Sequence, residues 1–292
     1  MVEGVDGSTL GEGAAQGRQP SLFVLGAGAM AEAFIRGLVR RQAIESSQIR
    51  VKNRSRRDVL DQLQSEYGIT PAESLAEVAD AAVVVLAVKP ADTVLALEQL
   101  RPYLDGQLLL SFAAGIPIAL LDQASGGKAA VVRTMPNLPV AVESGVTAVA
   151  FHAKVSSHQR LLARFLLEQV GAVVEMDEAM MDATTAFSGS GPGFVCYFLE
   201  AMEEAAEQLG FDEATARALL LHTVAGTARV LLDWKLSPEV LRRRVTSVGG
   251  TTHAGVQVFE QSGLKQAVAE ALSAAASRSA EMGRIYRGGG SA

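Results

Sequence analysis

A short apolar run, Leu22–Gly26 (LFVLG), leads straight into Gly26-Ala27-Gly28-Ala29-Met30-Ala31, and a helical pattern follows without a break. Strand, then G-x-G-x-x-A, then helix is the context in which this spacing binds a dinucleotide. Gly26 permits a tight turn, Gly28 lets backbone approach a pyrophosphate, and Ala31 is small enough for the helix to pack on the strand. The pyrophosphate then meets unpaired N–H groups at the positive end of the helix. A chance Gly/Ala-rich turn is the bland alternative; the strand before it and the helix after it argue against that.

The end of the second strand decides which dinucleotide. NAD enzymes place Asp or Glu there to hold the ribose 2′-hydroxyl. This chain reads Asn53-Arg54-Ser55-Arg56-Arg57, with no carboxylate to repel a 2′-phosphate and with Arg54 and Ser55 able to bind one. NADP is the cofactor expected, as NADPH, with NADH left open. Arg56 and Arg57 read equally well as a solvated helix start. Two further strand ends, Ala87-Val88-Lys89-Pro90 and Phe112-Ala113-Ala114, belong at the same crevice, where small residues leave room for the ligand. Either one alone would pass for an ordinary strand-to-helix turn.

A second constellation lies far along the chain. Ser247-Val248-Gly249-Gly250-Thr251-Thr252 opens a helix after the basic stretch Arg242–Arg244. Paired glycines followed by threonines at a helix start can aim N–H groups at a carboxylate. A plain helix cap explains the same residues equally well. In Gly189-Ser190-Gly191-Pro192 the proline suits a first helical turn and the glycines suit close packing. No metal is expected: His152, His158, His222 and His253 lack ligand spacing to one another or to the single cysteine, Cys196. His253, beside Thr252, can be read as a proton donor or as a solvated surface residue.

Positioning these residues takes two kinds of architecture. From residue 20 to 177, β-branched runs (Leu22–Gly26, Ile49–Asn53, Ala82–Val88, Gln107–Phe112, Ala130–Thr134, Gly145–Phe151, Ala172–Met176) alternate with helical patterns (Ala29–Gln42, Arg56–Tyr67, Ala91–Leu100, Ser157–Gln169). Continuous apolar strands separated by helices predict an α/β domain, a Rossmann-type doubly wound parallel sheet covered on both faces. From 178 to 288 the pattern is all helical, with Phe194–Leu209, Asp212–Trp234, Pro238–Arg244 and Gly263–Met282 as helices. Helices this apolar in so small a domain complete their burial against a second subunit.

Composition narrows the function class. Of 292 residues, 49% are hydrophobic and 20% charged, which excludes global disorder. A net charge of −6 disfavours nucleic acid as a partner. The longest apolar runs fall well short of the ~20 residues a membrane-spanning helix needs. One cysteine allows no intramolecular disulfide, which suits a cytoplasmic protein. Residues 1–19 contain five glycines and no signal-peptide stretch, and read as a flexible tail outside the fold.

Six segments, in order, resemble pyrroline-5-carboxylate reductase over essentially all of residues 21–285: GAGAMA (26–31), AVKP (87–90), SFAAG (111–115), RTMPN (133–137), DATTAFSGSGP (182–192) and TSVGGTTHAGVQVFE (246–260). The resemblance implies NADPH-dependent reduction of 1-pyrroline-5-carboxylate to proline, the last step of proline biosynthesis. It implies a homo-oligomer, a dimer or a multiple of dimers, built through the helical domain, with a small-molecule substrate held partly by the partner subunit. Carried over by position, Ser247 and the backbone of Gly249, Gly250 and Thr251 bind the substrate carboxylate. Thr252 places its hydroxyl near the ring nitrogen as the catalytic side chain, and Glu178 occupies a substrate-side position.

Three positions depart from the family pattern. Leu138 stands where threonine is common after the asparagine, Val248 where proline precedes the glycines, and Arg244 where some relatives carry a neutral polar residue. They leave two alternatives open, a reductase of another cyclic imine and an NADP-binding regulatory paralogue without turnover. A hydroxyacid dehydrogenase of the 6-phosphogluconate type is disfavoured, because Phe194–Leu209 contains no lysine.

Overall fold

The computed structural model describes residues 20–287, so the tail expected at 1–19 lies outside the described residues. Two compact units are present. Among the described residues, the first comprises 20–189 together with 276–287, and Ser190–Ala275 forms the second. The boundary drawn from composition, at 177/178, lies before this one. The short helical turns that close the first unit carry helix-like sequence, so composition alone assigns them forward.

The first unit is built on one eight-stranded sheet. Its strands are β1 (Leu22–Leu25), β2 (Ile49–Lys52), β3 (Thr70–Pro71), β4 (Val83–Leu86), β5 (Leu108–Ser111), β6 (Ala130–Pro136), β7 (Gly145–Phe151) and β8 (Gly171–Glu175), in the order β3-β2-β1-β4-β5-β6-β7-β8. Every residue of β1, β4 and β5 is buried, as strands covered on both faces must be.

One face carries Leu22, Val24, Val83 and Val85 against helices α1 (Ala29–Arg40), α2 (Arg57–Tyr67) and, further along the chain, Ser157–Glu168. The other carries Phe23, Val84 and Leu86 against α3 (Thr93–Leu100) and α4 (Ile118–Ala124), leaving Ser157–Glu168 as α5. Helix α1 shows how the sequence sets its face. Ala31, Phe34, Ile35 and Leu38 recur at helical spacing and are all buried, and each large side chain contributes roughly 1.5–3 kcal/mol by leaving water.

The sheet is mostly parallel, with one reversal. β7 runs antiparallel to β6, and β8 is parallel to β7, so the last two strands oppose the rest. Only residues 137–144 join β6 to β7. That is enough for a direct return but too little for the crossover of roughly a dozen residues that a parallel pair requires. The strand order reverses between β2-β1 and β4-β5, which opens a crevice at the carboxyl ends of β1 and β4.

Before the chain leaves the first unit it forms α6 (Met181–Thr184) and a π-helical turn, Thr185–Gly189. The second unit then begins with α7 (Gly191–Gln208), α8 (Glu213–Trp234), α9 (Pro238–Arg244) and α10 (Thr251–Gln261), and α11 (Leu264–Arg287) returns to the first. Asp212 caps α8 by accepting the Thr215 N–H at 2.9 Å, and Ser237 caps α9. Within Ser190–Ala275 only Ala216 and Leu220 are buried, while Tyr197, Leu209, Leu232 and Trp234 are each at least 60% exposed. No helix among the described residues is long and apolar enough to cross a membrane.

Candidate active site

A cleft of ≈ 620 Å³ opens at the carboxyl ends of β1, β2 and β4. Gly26, Ala27, Gly28, Asn53, Arg54, Ser55, Ala87, Val88 and Lys89 line it, so the fingerprint and two of the three other strand ends converge as expected. The two glycines serve different purposes. Gly26 has φ +105°, in the left-handed region, and a Cβ there would overlap the Ala87 carbonyl. Gly28 is the N-cap of α1 with no side-chain cap, and a Cβ there would meet nothing within 4 Å. The first N–H groups of α1 therefore face open space able to take an anion.

The remaining expected cofactor residues line no part of this cleft. Ala31, in the first turn of α1, is fully buried. Ala29 and Met30 lie in the first turn of α1, Pro90 opens the turn before α3, and Phe112, Ala113 and Ala114 follow β5, one strand further along. Phe112 also packs edge-on against Phe34, with ring centres 5.3 Å apart. The wall made by Leu75, Leu95, Ala96 and Gln99, together with Lys52 and Asp92, carried no signal in the sequence; Arg56, which reads there as a solvated helix start, also lines the cleft. Lys52 donates to the Ala72 and Glu73 carbonyls. Arg56 is hydrogen-bonded to Asp58 at 2.7 Å, which raises the guanidinium above its ordinary pKa and holds Asp58 below its own. Arg57 pairs with Asp61 and Glu73.

Cleft and residues fit NADP: a glycine held open at a helix N-terminus for the pyrophosphate, apolar side chains for a base, and Arg54 beside Ser55 for a 2′-phosphate.

Glu178, expected on the substrate side, makes two contacts within the first unit. Its Oε1 accepts the Ile118 N–H at 2.6 Å, at the first residue of α4, and lies 3.5 Å from Arg133 Nη1. Arg133, on β6, has a side chain only 5% exposed, and its Nη2 donates to Asp182 Oδ1 at 2.9 Å. Ser279 of α11, itself buried, reaches the same Asp182 oxygen at 3.3 Å. A buried guanidinium must find acceptors, and Glu178 is one of the two carboxylates that answer it. Gly189 packs on Met135 so closely that a Cβ would overlap its methyl group.

In the second unit, Ser247 to His253 form a tight turn into α10. Gly249 takes φ +74°, and its N–H donates to His253 Nδ1 at 3.2 Å. The Gly250 N–H donates to the Ser247 carbonyl at 3.1 Å, and a Cβ on Gly250 would strike the Ser247 hydroxyl. Both glycine N–H groups expected to meet a carboxylate are thus engaged inside the turn. Gly250 is the N-cap of α10 without a side-chain cap, so the Thr251, Thr252 and His253 N–H groups are the donors a helix start leaves over. Val248, at the tip, is 99% exposed.

A family model described as pyrroline-5-carboxylate reductase dimerisation matches residues 178–282, and one described as NADP oxidoreductase, coenzyme F420-dependent, matches residues 21–115. The pyrroline-5-carboxylate reductase of Pseudomonas aeruginosa is 42% identical over 90% of this chain and 97% of its own length. The chain belongs to the pyrroline-5-carboxylate reductase family. A solved structure of a pyrroline-5-carboxylate reductase from Coxiella burnetii superimposes with a TM-score of 0.85 at 34% identity, covering 91% of this chain and 99% of that one. The Plasmodium falciparum pyrroline carboxylate reductase, solved with NADP bound, gives 0.82 at 27% identity over 91% of this chain and 100% of that one. The family's two-part organisation, a dinucleotide sheet followed by dimerisation helices, is the organisation seen here.

Proposed function

We propose that this family member reduces 1-pyrroline-5-carboxylate to proline with NADPH, acting in the cytoplasm as a dimer or a multiple of dimers. The observation that carries the proposal is the NADP-compatible cleft of the first unit, and the uncapped helix start bearing Thr251 and Thr252 within the second supports it separately. When bound, the reduced nicotinamide would supply a hydride, a proton with two electrons, to the imine carbon. The chain's own residues bind and orient. The α1 N-terminus takes the pyrophosphate, and Arg54 with Ser55 takes the 2′-phosphate.

The Gly249–Thr252 turn takes the substrate carboxylate, chiefly on the Thr251 and Thr252 N–H groups. The Thr252 hydroxyl sits by the ring nitrogen and steadies its charge. An imine protonated on nitrogen is already electrophilic at carbon, so proximity and orientation suffice and no acid–base pair is called for. Glu178 supports α4 and Arg133 rather than substrate.

The dimer reading draws on the exposed apolar side chains of α7 and α8, which leave the second unit with little core of its own. Leu232→Asp is expected to lower the mass measured in solution to that of the monomer.

The test of the reaction is loss of the near-ultraviolet band of NADPH with 1-pyrroline-5-carboxylate, with proline identified as product. Rapid turnover supports the proposal; no turnover alongside tight NADPH binding overturns it. Leu138 is 63% exposed and Val248 wholly so, and both depart from the family pattern. Turnover of another cyclic imine in preference would be traced to them.

A further inference from the structure

Asp92 ends the turn Pro90–Asp92 and leads directly into α3; its backbone is already helical, at φ −92° and ψ −8°, and its side chain makes no cap hydrogen bond. Its Oδ1 lies instead 3.7 Å from Arg54 Nη1, and both residues line the cleft. That separation is too long for a hydrogen bond, and both side chains are exposed, so an incoming ligand can part them at little cost. The neighbouring cations Lys52 and Arg56 are tied to carbonyls and to Asp58, which leaves Arg54 the more available of these three.

Nicotinamide enzymes that use NAD hold its ribose 2′-hydroxyl with a carboxylate at the end of the second strand. Here that position reads Asn53-Arg54-Ser55. Asp92 brings a carboxylate to the same guanidinium from a different place, the turn after β4.

We propose that Asp92 is a specificity-determining residue of the cofactor cleft: it accepts the ribose 2′-hydroxyl of an unphosphorylated dinucleotide and repels the 2′-phosphate that Arg54 attracts. A cofactor with a 2′-phosphate draws Arg54 away from Asp92. A cofactor with a free hydroxyl leaves the pair together and bonds to Asp92. The cleft thus admits both forms, and the Arg54–Asp92 balance sets their ratio. This inference rests on the reading of the cleft as the dinucleotide site.

The test is calorimetric binding of 2′,5′-ADP and 5′-AMP to the intact protein at constant ionic strength, comparing the wild type with Asp92→Asn and Asp92→Ala. In both variants 5′-AMP is expected to weaken about three- to tenfold and 2′,5′-ADP to tighten by a similar factor. Equal changes for the two nucleotides, or none, overturn the assignment of Asp92 while leaving the cleft's identity intact. Failure of the wild type to bind either nucleotide overturns the cleft itself. Unchanged melting temperatures certify that the variants are folded. The ratio of kcat/KM with NADPH to that with NADH is expected to rise in step with the binding ratio.

Discussion

His253 holds the turn that precedes it, because its Nδ1 accepts the N–H of Gly249 four residues back at 3.2 Å. Gly249 sits at φ +74° and Gly250 caps α10 with no side chain, and among the described residues no other side-chain hydrogen bond reaches the Gly249–Gly250 backbone. His253→Leu removes the acceptor and frees the turn to open. The expected result is a KM for the imine acid raised roughly three- to tenfold, the worth of one modest hydrogen bond, with kcat and NADPH affinity little changed. His253→Asn puts an amide oxygen near the same place and is expected to restore most of the loss. Equal KM values for the two variants would remove His253 from this role.

Thr252 follows the turn, and its hydroxyl rather than its methyl group is assigned the work. Thr252→Val keeps the shape and deletes the oxygen; Thr252→Ser keeps the oxygen. Loss of a hydrogen bond to a charged nitrogen is worth roughly 1.5–3 kcal/mol, so kcat/KM for the imine should fall roughly ten- to hundredfold in Thr252→Val and much less in Thr252→Ser. NADPH binding, followed by nicotinamide fluorescence, is expected to hold steady in both. A parallel fall in cofactor affinity would show that the substitution disturbs more than the substrate.

What was legible in the sequence was whatever a few consecutive residues decide. Gly26 to Ala31 announce their turn because φ +105° at Gly26 and the small Ala31 are local demands. The Asn53-Arg54-Ser55 run could be read for the same reason. Asp92 could not, since its relation to Arg54 depends on the ends of β2 and β4 being brought to the same edge of the sheet on either side of β1. The reversal at β7 was hidden in a connection length rather than in any residue pattern. The Arg133 cluster was more distant still, joining positions 49 and 97 apart in the chain. Helical sequence begins near 178, where composition and the dimerisation family match both start the second part, while the compact first unit runs on to Gly189, because composition reports the element type and not what it packs on.

That cluster gives a stability prediction. Arg133 is 5% exposed, while the Asp182 and Glu178 side chains are 34% and 36% exposed. Arg133→Met strands two half-screened carboxylates against an apolar neighbour. Breaking a buried pair costs roughly 3–5 kcal/mol, and partial solvation of the carboxylates places this case toward the low end. Denaturant unfolding should show that loss in Arg133→Met and recover part of it in Arg133→Met/Asp182→Leu. Additive losses in the double variant would mean that the two residues do not act as a pair.

The Asp212 cap supplies a pH signature for the helical unit. Its carboxylate accepts the Thr215 hydroxyl at 2.7 Å and the Thr215 N–H at 2.9 Å, and these bonds, the hydroxyl first, hold it below the ordinary aspartate value. With the folded value below the unfolded one, the cap's contribution is complete above an unfolded pKa of about 4 and is lost as pH falls through the lower, folded value. Asp212→Ala should therefore lower the melting temperature at neutral pH, with the gap to wild type narrowing once the pH drops below about 4. Asp212→Asn keeps a neutral acceptor and should show a smaller gap at neutral pH that varies less with acid. A gap for Asp212→Ala that stays constant through the acid range would assign the stabilisation to the shape of the capping side chain rather than to its charge.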